Sequence, residues 1–291
     1  MCNWCYFLAP VFGPVIRFIY NLVNNYGLAI IIFSVIIKLL TFPLSVKQHK
    51  STLAMRKIQP ELTKLQKKYA NDKEKLQKEQ MDLYSKYNIN PMAGCLPLAI
   101  QMPVLFSLYS VIQSPLTYIA GLDVSVVEKI GKALGLKENV IATSQIKIAE
   151  MLNNSENLAK VKDLLPDGFT GIDFNFLGLN LAETPEFSFS GISVLWIIPV
   201  LSGLTAFLSM YITNKTNGAA PADDQANQMK GMMYVMPFMS VYFCFILPCG
   251  MGIYWIISNI MAILQQLVLT TFIKGDDDGM IEAEVIKKKK K

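Results

Sequence analysis

A chain of 291 residues that is 52% hydrophobic and 17% charged, with mean hydropathy +0.35, gathers its apolar residues into long blocks. That pattern excludes an ordinary water-soluble domain and indicates a multispanning membrane protein. The net charge of +5 concerns topology and anionic lipid and makes no separate case for nucleic acid.

In chain order, residues 1–25 carry Trp4, Tyr6, Phe7, Phe18 and Tyr20 in an apolar stretch interrupted by Pro10, Gly13, Pro14 and Arg17. They read as an interfacial helix rather than a span, and without a basic n-region they do not support a cleaved signal peptide. The CxxC of Cys2 and Cys5 is an isolated pair and weak evidence for metal or redox chemistry. Five later segments hold the roughly 20 apolar residues that a spanning helix needs: 26–46, 91–117, 191–213, 231–247 and 251–273. Between the first two, residues 47–90 read as a basic helical hairpin, with helices at 51–70 and 72–87, Pro60 interrupting the first and Asn71-Asp72 as the turn. Residues 118–190 hold helix-like stretches near 124–135 and 143–165, then Phe174-Asn-Phe-Leu-Gly-Leu-Asn-Leu181. Residues 214–230 form a loop, Leu247-Pro-Cys-Gly250 a turn between the last two spans, and 274–291 a tail ending in Lys287 to Lys291.

Lysines and arginines crowd 47–90 and the tail, so both face the cytoplasm, and five spans then leave the N-terminus outside. Lys38 stands in the first span, nine residues before Lys47. A lysine at the centre of a spanning helix costs about 2.5–3.5 kcal/mol, and snorkelling covers only part of that distance. A hydrated polar pocket offsets the rest. Gln101, Ser202, Thr205, Ser209, Ser258, Asn259 and Gln265 are the polar residues of the other spans that supply it. Five helices suit a groove open to cytoplasm and lipid better than a closed pore. The single histidine, His49, reads as a surface residue, and the sequence has no metal-ligand cluster, hydrolase motif or nucleotide-binding loop. No cofactor is implied.

Asn90-Pro-Met-Ala-Gly-Cys-Leu-Pro-Leu-Ala-Ile-Gln-Met-Pro103, Pro248-Cys-Gly-Met-Gly-Ile-Tyr-Trp-Ile-Ile-Ser-Asn259, and Tyr26-Gly27 with a basic residue five positions before Pro43 resemble the YidC membrane protein insertases and their mitochondrial and chloroplast relatives. The resemblance covers almost the whole chain. It implies an all-α polytopic membrane protein with a five-helix insertase core, in which a groove receives a segment of a client and releases the adjoining helix into lipid, without bond chemistry. Lys38 corresponds to the family's usual arginine, and lysine lacks that residue's planar donor fork. Pro43, Pro97 and Pro103 are expected to shape the spans, and Tyr254 and Trp255 to sit at the outer interface. The implied location is the bacterial plasma membrane and the implied state a functional monomer. Implied partners are nascent membrane proteins, anionic lipids, the ribosome, signal recognition components and the general secretion channel. The residues leave two alternatives open: a small anion transporter or channel, and a passive assembly scaffold.

Overall fold

A computed structural model describes residues 8–87, 89, 96–187, 193–217, 235 and 237–273, leaving aside the side chains of 96–99, 139, 142–143 and 217. Cys2, Cys5, Cys95, the loop from 218, the start of the fourth expected span at 231–234 and the basic tail lie outside the described residues. The chain forms two compact units, one of Met1–Ile37, Ile100–Gly203 and Met239–Ser258, the other of Lys38–Ala99, Leu204–Phe238 and Asn259–Lys291.

In the first unit, α1 (Ala9–Val23) ends at Asn24, whose φ of 48° places it in the left-handed region and whose N–H donates to the Tyr20 carbonyl at 2.7 Å. A left-handed residue closes a helix this way, and asparagine tolerates the conformation better than most. Asn25 then opens α2 (Tyr26–Leu40), its side-chain oxygen accepting the Leu28 N–H at 3.0 Å, as an N-cap does. α6 (Leu96–Gln113) is followed after Ser114 by the short α7 (Pro115–Tyr118). Proline needs no N–H in a first turn and disfavours helix in the residue before it, so the expected span 91–117 breaks here. Arg17 on α1 donates to the Thr117 and Tyr118 carbonyls at 2.9 and 3.2 Å, satisfying the end of α7.

The expected helix at 124–135 is α8 (Val124–Ala133), followed by Gly135 at φ 77° and by α9 (Glu138–Thr143). The expected helix at 143–165 is divided into α10 (Gln145–Met151), α11 (Ser155–Lys160) and a 3-10 turn at Lys162–Leu164. The division falls at Asn153-Asn154, where Asn154 caps α11 and Asn153 brackets the Ile172 backbone, donating to its carbonyl at 2.9 Å and accepting its N–H at 3.2 Å. Asparagines that bond backbone locally compete with helix continuation. A two-stranded hairpin follows, β1 (Asn175–Phe176) against β2 (Leu179–Asn180), turned by Leu177 at φ 52° and Gly178 at φ 81°. Two positive φ values in a two-residue loop make the primed turn that matches strand twist. The unit's core joins Phe33, Leu108, Ile112, Leu116, Ile130, Ile148, Leu181 and Tyr254, each at most 1% exposed.

The second unit holds α3 (Phe42–Lys57), α4 (Gln59–Lys68) and α5 (Lys73–Lys86). Pro60 sits in the first turn of α4, so the helix expected over 51–70 is divided at Ile58. Ile58, Leu62 and Leu83 form the core of the α4–α5 pair, with Tyr84 and Tyr87 packed on it. Asp72 caps α5 by accepting the Lys75 N–H at 3.0 Å. His49 corrects the surface expectation: at 5% exposure it belongs to the packing of α3.

α12 (Ile197–Asn217), extended at its start by a 3-10 turn, and α14 (Cys249–Phe272) are each long and apolar enough to cross a bilayer. α13 occupies 237–244 and is joined to α14 through 245–248, so the turn expected at Leu247–Gly250 lies earlier in the chain, with Cys249 and Gly250 already in the first turn of α14. α2 and α3 qualify only as a bent pair, broken at Thr41 with a bend of 52°. The span expected at 26–46 is thus not one straight helix: Pro43 has no N–H to give the Leu39 carbonyl. Among the described residues, two or three candidate spans and a minimal sheet fit an all-α membrane protein.

Candidate functional site

In the second unit, Lys38 lies half-buried in the last turn of α2. Its carbonyl accepts the Gln265 side-chain amide at 2.7 Å and the Thr41 hydroxyl at 3.2 Å. Breaking a helix strands carbonyls in its last turn, and an unsatisfied backbone group in hydrocarbon costs several kcal/mol. Gln265 therefore meets Lys38 at the backbone, supporting the helix break beside the charge. The Asn259 amide donates to Thr205 at 3.3 Å, and Gln266 to Thr216 at 2.6 Å. Ser209, one turn beyond Thr205 on α12, is half-buried.

In the first unit, Gln101 on α6 donates its amide to the Tyr254 hydroxyl on α14. Ser258, one turn further on and 6% exposed, faces the same hydroxyl. Ser202 on α12, fully buried, lies against the Cys244 thiol. Tyr254, expected at an aromatic belt, is 1% exposed and belongs to the packed interior. Trp255 is half-buried and stacks on Phe243 with centroids 5.9 Å apart. Pro97 lies in the first turn of α6 and Pro103 inside it, while Pro43 is exposed in the first turn of α3.

The structure thus brings Lys38 to Gln265 and Asn259 to Thr205 in one unit, and Gln101 to Tyr254 and Ser258 in the other. Sequence reasoning missed Thr41, Cys244 and the Gln266–Thr216 pair. The adjacent amides Gln265-Gln266, two turns from the end of an apolar helix, are the signal that was available for the last. Outside the spans, the Tyr87 hydroxyl donates to Glu61 at 2.6 Å, and that hydrogen bond holds the phenol above its ordinary range. Glu61, Lys64, Lys68, Glu79, Asp82 and Lys86 border an open cleft of about 360 Å³ between α4 and α5. Among the described residues, no group of His, Cys, Asp or Glu is arranged to hold a metal ion.

Ile197, Val200, Leu204, Phe207, Leu208 and Tyr211 run along one side of α12, each at least 48% exposed. An apolar stripe of that length is stable in lipid and a liability in water. Together with the two or three candidate spans among the described residues, it defines an all-α membrane protein. A family model described as 60Kd inner membrane protein matches residues 18–276. The chain belongs to that family, the YidC family. It is 31% identical over 244 residues to membrane protein insertase YidC of Fusobacterium nucleatum subsp. nucleatum, covering 84% of this chain and 85% of that protein. The proteins of the same name from Brucella suis biovar 1 and Rhizobium meliloti are 33% and 34% identical over 267 residues. Those matches cover 92% of this chain but only 36% and 37% of the relatives, so the chain spans about a third of their length.

Proposed function

We propose that the chain is a membrane protein insertase that receives client segments in a hydrated, positively charged intramembrane groove and releases them into lipid. The observation that carries the reading is Lys38, half-buried in an apolar helix with its carbonyl braced by Gln265. Water in the groove shortens the hydrophobic barrier, and the ammonium offsets the transfer cost of an acidic client tail, since a charge pair is stronger at low dielectric. Partition of the client's apolar helix drives release, and no bond is made or broken. Lys38, Gln101, Ser202, Thr205, Ser209, Ser258, Asn259 and Gln265 line the groove.

The layout proposed is five spans at 26–46, 91–117, 191–213, 231–247 and 251–273, with the N-terminus and 118–190 outside the plasma membrane and 47–90 and 274–291 in the cytoplasm. One segment supports it. Carbonyls of Asp173, Glu183 and Leu181 accept the N–H groups of Tyr26, Cys249 and Gly250, and that of Glu186 accepts the Trp196 indole. The starts of α2, α12 and α14 therefore meet one stretch of chain, as the layout requires of three helices that enter from one side. The reading includes nascent membrane proteins as clients. Ribosome, signal recognition components, secretion channel and anionic lipids are partners of the basic cytoplasmic segments, and the working unit is a monomer.

Photocrosslinkers at positions 38, 101 and 202 are expected to capture a stalled single-span client. Lys38→Leu is expected to slow a client with an acidic tail about tenfold more than its neutral twin, equivalent to about 1.4 kcal/mol, while Lys38→Arg inserts both normally. An equal slowing of both clients, with no crosslink, refutes the groove-charge mechanism.

A further inference from the structure

We infer that Cys244 and Cys249 are a redox pair that closes to an intramolecular disulfide, tying the end of α13 to the first turn of α14. Both thiols are free and buried, at 2% and 1% exposure. α13 ends at Cys244 and α14 begins at Cys249, so only 245–248 lie between them. That connection turns back tightly: the Phe245 N–H donates to the Tyr242 carbonyl at 3.0 Å, and those of Ile246 and Leu247 to the Phe243 carbonyl at 3.2 and 3.0 Å. A disulfide needs Cα atoms about 4.4–6.8 Å apart, and a tight return brings its flanking residues together.

The side chains converge as well. A Cβ built on Gly252 would lie 3.4 Å from the Cys244 sulfur, so that sulfur already reaches the surface of α14. Cys249 precedes Gly252 by three positions, and residues three apart share a helix face with Cβ atoms about 5–6 Å apart. Gly252 has no side chain to bar the way. The Cys244 sulfur therefore meets Cys249 by swinging one turn towards the start of α14, away from Ser202, and the two thiols already interact electrostatically.

Closure is thiol–disulfide exchange with an external disulfide, the class of oxidant that glutathione disulfide represents. One cysteine thiolate attacks it, forms a mixed disulfide and expels a thiol. The other cysteine then attacks the protein sulfur of that mixed disulfide, forms the S–S bond and expels the second thiol. The protein gives up two protons and two electrons, and the external disulfide becomes two thiols. In the membrane layout proposed above, this corner stands at the outer end of the last two spans, on the side where disulfides persist; the pairing itself does not depend on that layout.

The test uses the full chain in detergent with Cys2, Cys5 and Cys95 replaced by serine. It is equilibrated in graded mixtures of glutathione and glutathione disulfide, starting both from reduced and from oxidised chain, so that burial of the thiols does not decide the result. After acid trapping, free thiols are counted by a maleimide tag added in denaturant, and the linked peptide is read by mass spectrometry. The expected product is a single 244–249 disulfide. Its formation constant is expected to be at least about tenfold larger in the folded chain than in the same chain held in denaturant, because a fold that presents two sulfurs to each other raises their effective concentration. A constant equal to or below that of the denatured chain, or glutathione carried separately on each cysteine, overturns the pair. Neither client nor bilayer is present, so the outcome is independent of whether the chain inserts proteins.

Discussion

Gly252 on α14 faces Ile198 so closely that a Cβ built there would lie 2.2 Å from the Ile198 Cγ2 and 3.4 Å from the Cys244 sulfur. Carbon atoms rest about 3.5–4.0 Å apart, so Gly252→Ala forces a movement of more than 1 Å. Ile198 is 1% exposed and, being β-branched, has essentially one rotamer in a helix. The backbones must separate instead. Overpacking of this kind costs about 1–3 kcal/mol, and a contact this short belongs at the upper end. Alanine returns at most about 1 kcal/mol of helix propensity, leaving a net loss of about 2 kcal/mol. The assay is urea unfolding in detergent followed by fluorescence, since Trp196 and Trp255 lie on the same two helices. Ile198→Ala removes the opposing methyl and by itself leaves a cavity worth about 2–5 kcal/mol. The double variant is expected to be more stable than the sum of the two losses predicts by at least about 1 kcal/mol. Stability of Gly252→Ala within about 0.5 kcal/mol of the parent, or strict additivity in the cycle, refutes the close-approach argument.

Leu177→Asn places an Asn-Gly pair in the primed turn, where leucine at φ 52° is strained; the melting temperature is expected to rise, by about 1 kcal/mol of stability. Tyr87→Phe removes the bond to Glu61 and is expected to lower the stability of the α4–α5 pair by about 1 kcal/mol or less, because the site is near the surface. The folded phenol titrates above its ordinary value of about 10, so the parent's advantage is fully present below that pH and is lost as the pH rises through the folded value. Melting curves of parent and variant at neutral and strongly alkaline pH measure it, and a constant difference argues against the pairing. Gln265→Leu strips the amide from the Lys38 carbonyl and is expected to cost about 1–2 kcal/mol in the same unfolding assay. Gln265→Glu is expected to fare no better, since a carboxylate cannot donate.

The membrane class was legible because bilayer thickness imposes a length on apolar runs, and α12 and α14 follow it closely. Breaks were less legible. Pro60 declared itself, but Thr41 is an ordinary residue and the break there depends on Pro43 removing a donor from the preceding turn. The hairpin at Asn175–Asn180 was hidden because Leu-Gly is not a favoured primed-turn pair; tertiary contacts with α2 hold it. In the site, the residue types were visible but their partners were not. An inward polar residue on a helix has a periodic position, whereas the choice of Gln101 for Tyr254, or of Gln265 for a backbone carbonyl, is made by neighbours far along the chain. Tyr254 misled for the same reason: beside Trp255 it read as an interfacial aromatic, yet its hydroxyl finds a donor inside and the ring is buried.

The stretch 172–187, whose carbonyls accept N–H groups from the starts of α2 and α14, also fixes an order of completion during synthesis. Ribosomes deliver the chain from its N-terminus, so Asp173 and Asn175 emerge when their partners on α2 already exist, and that half can form at once. Leu181 and Glu183 emerge before Cys249 and Gly250 and have no amides to meet until the last helix begins. A chain stopped before α14 therefore holds this stretch at one end only, with two open carbonyls that wait for the first amides of α14.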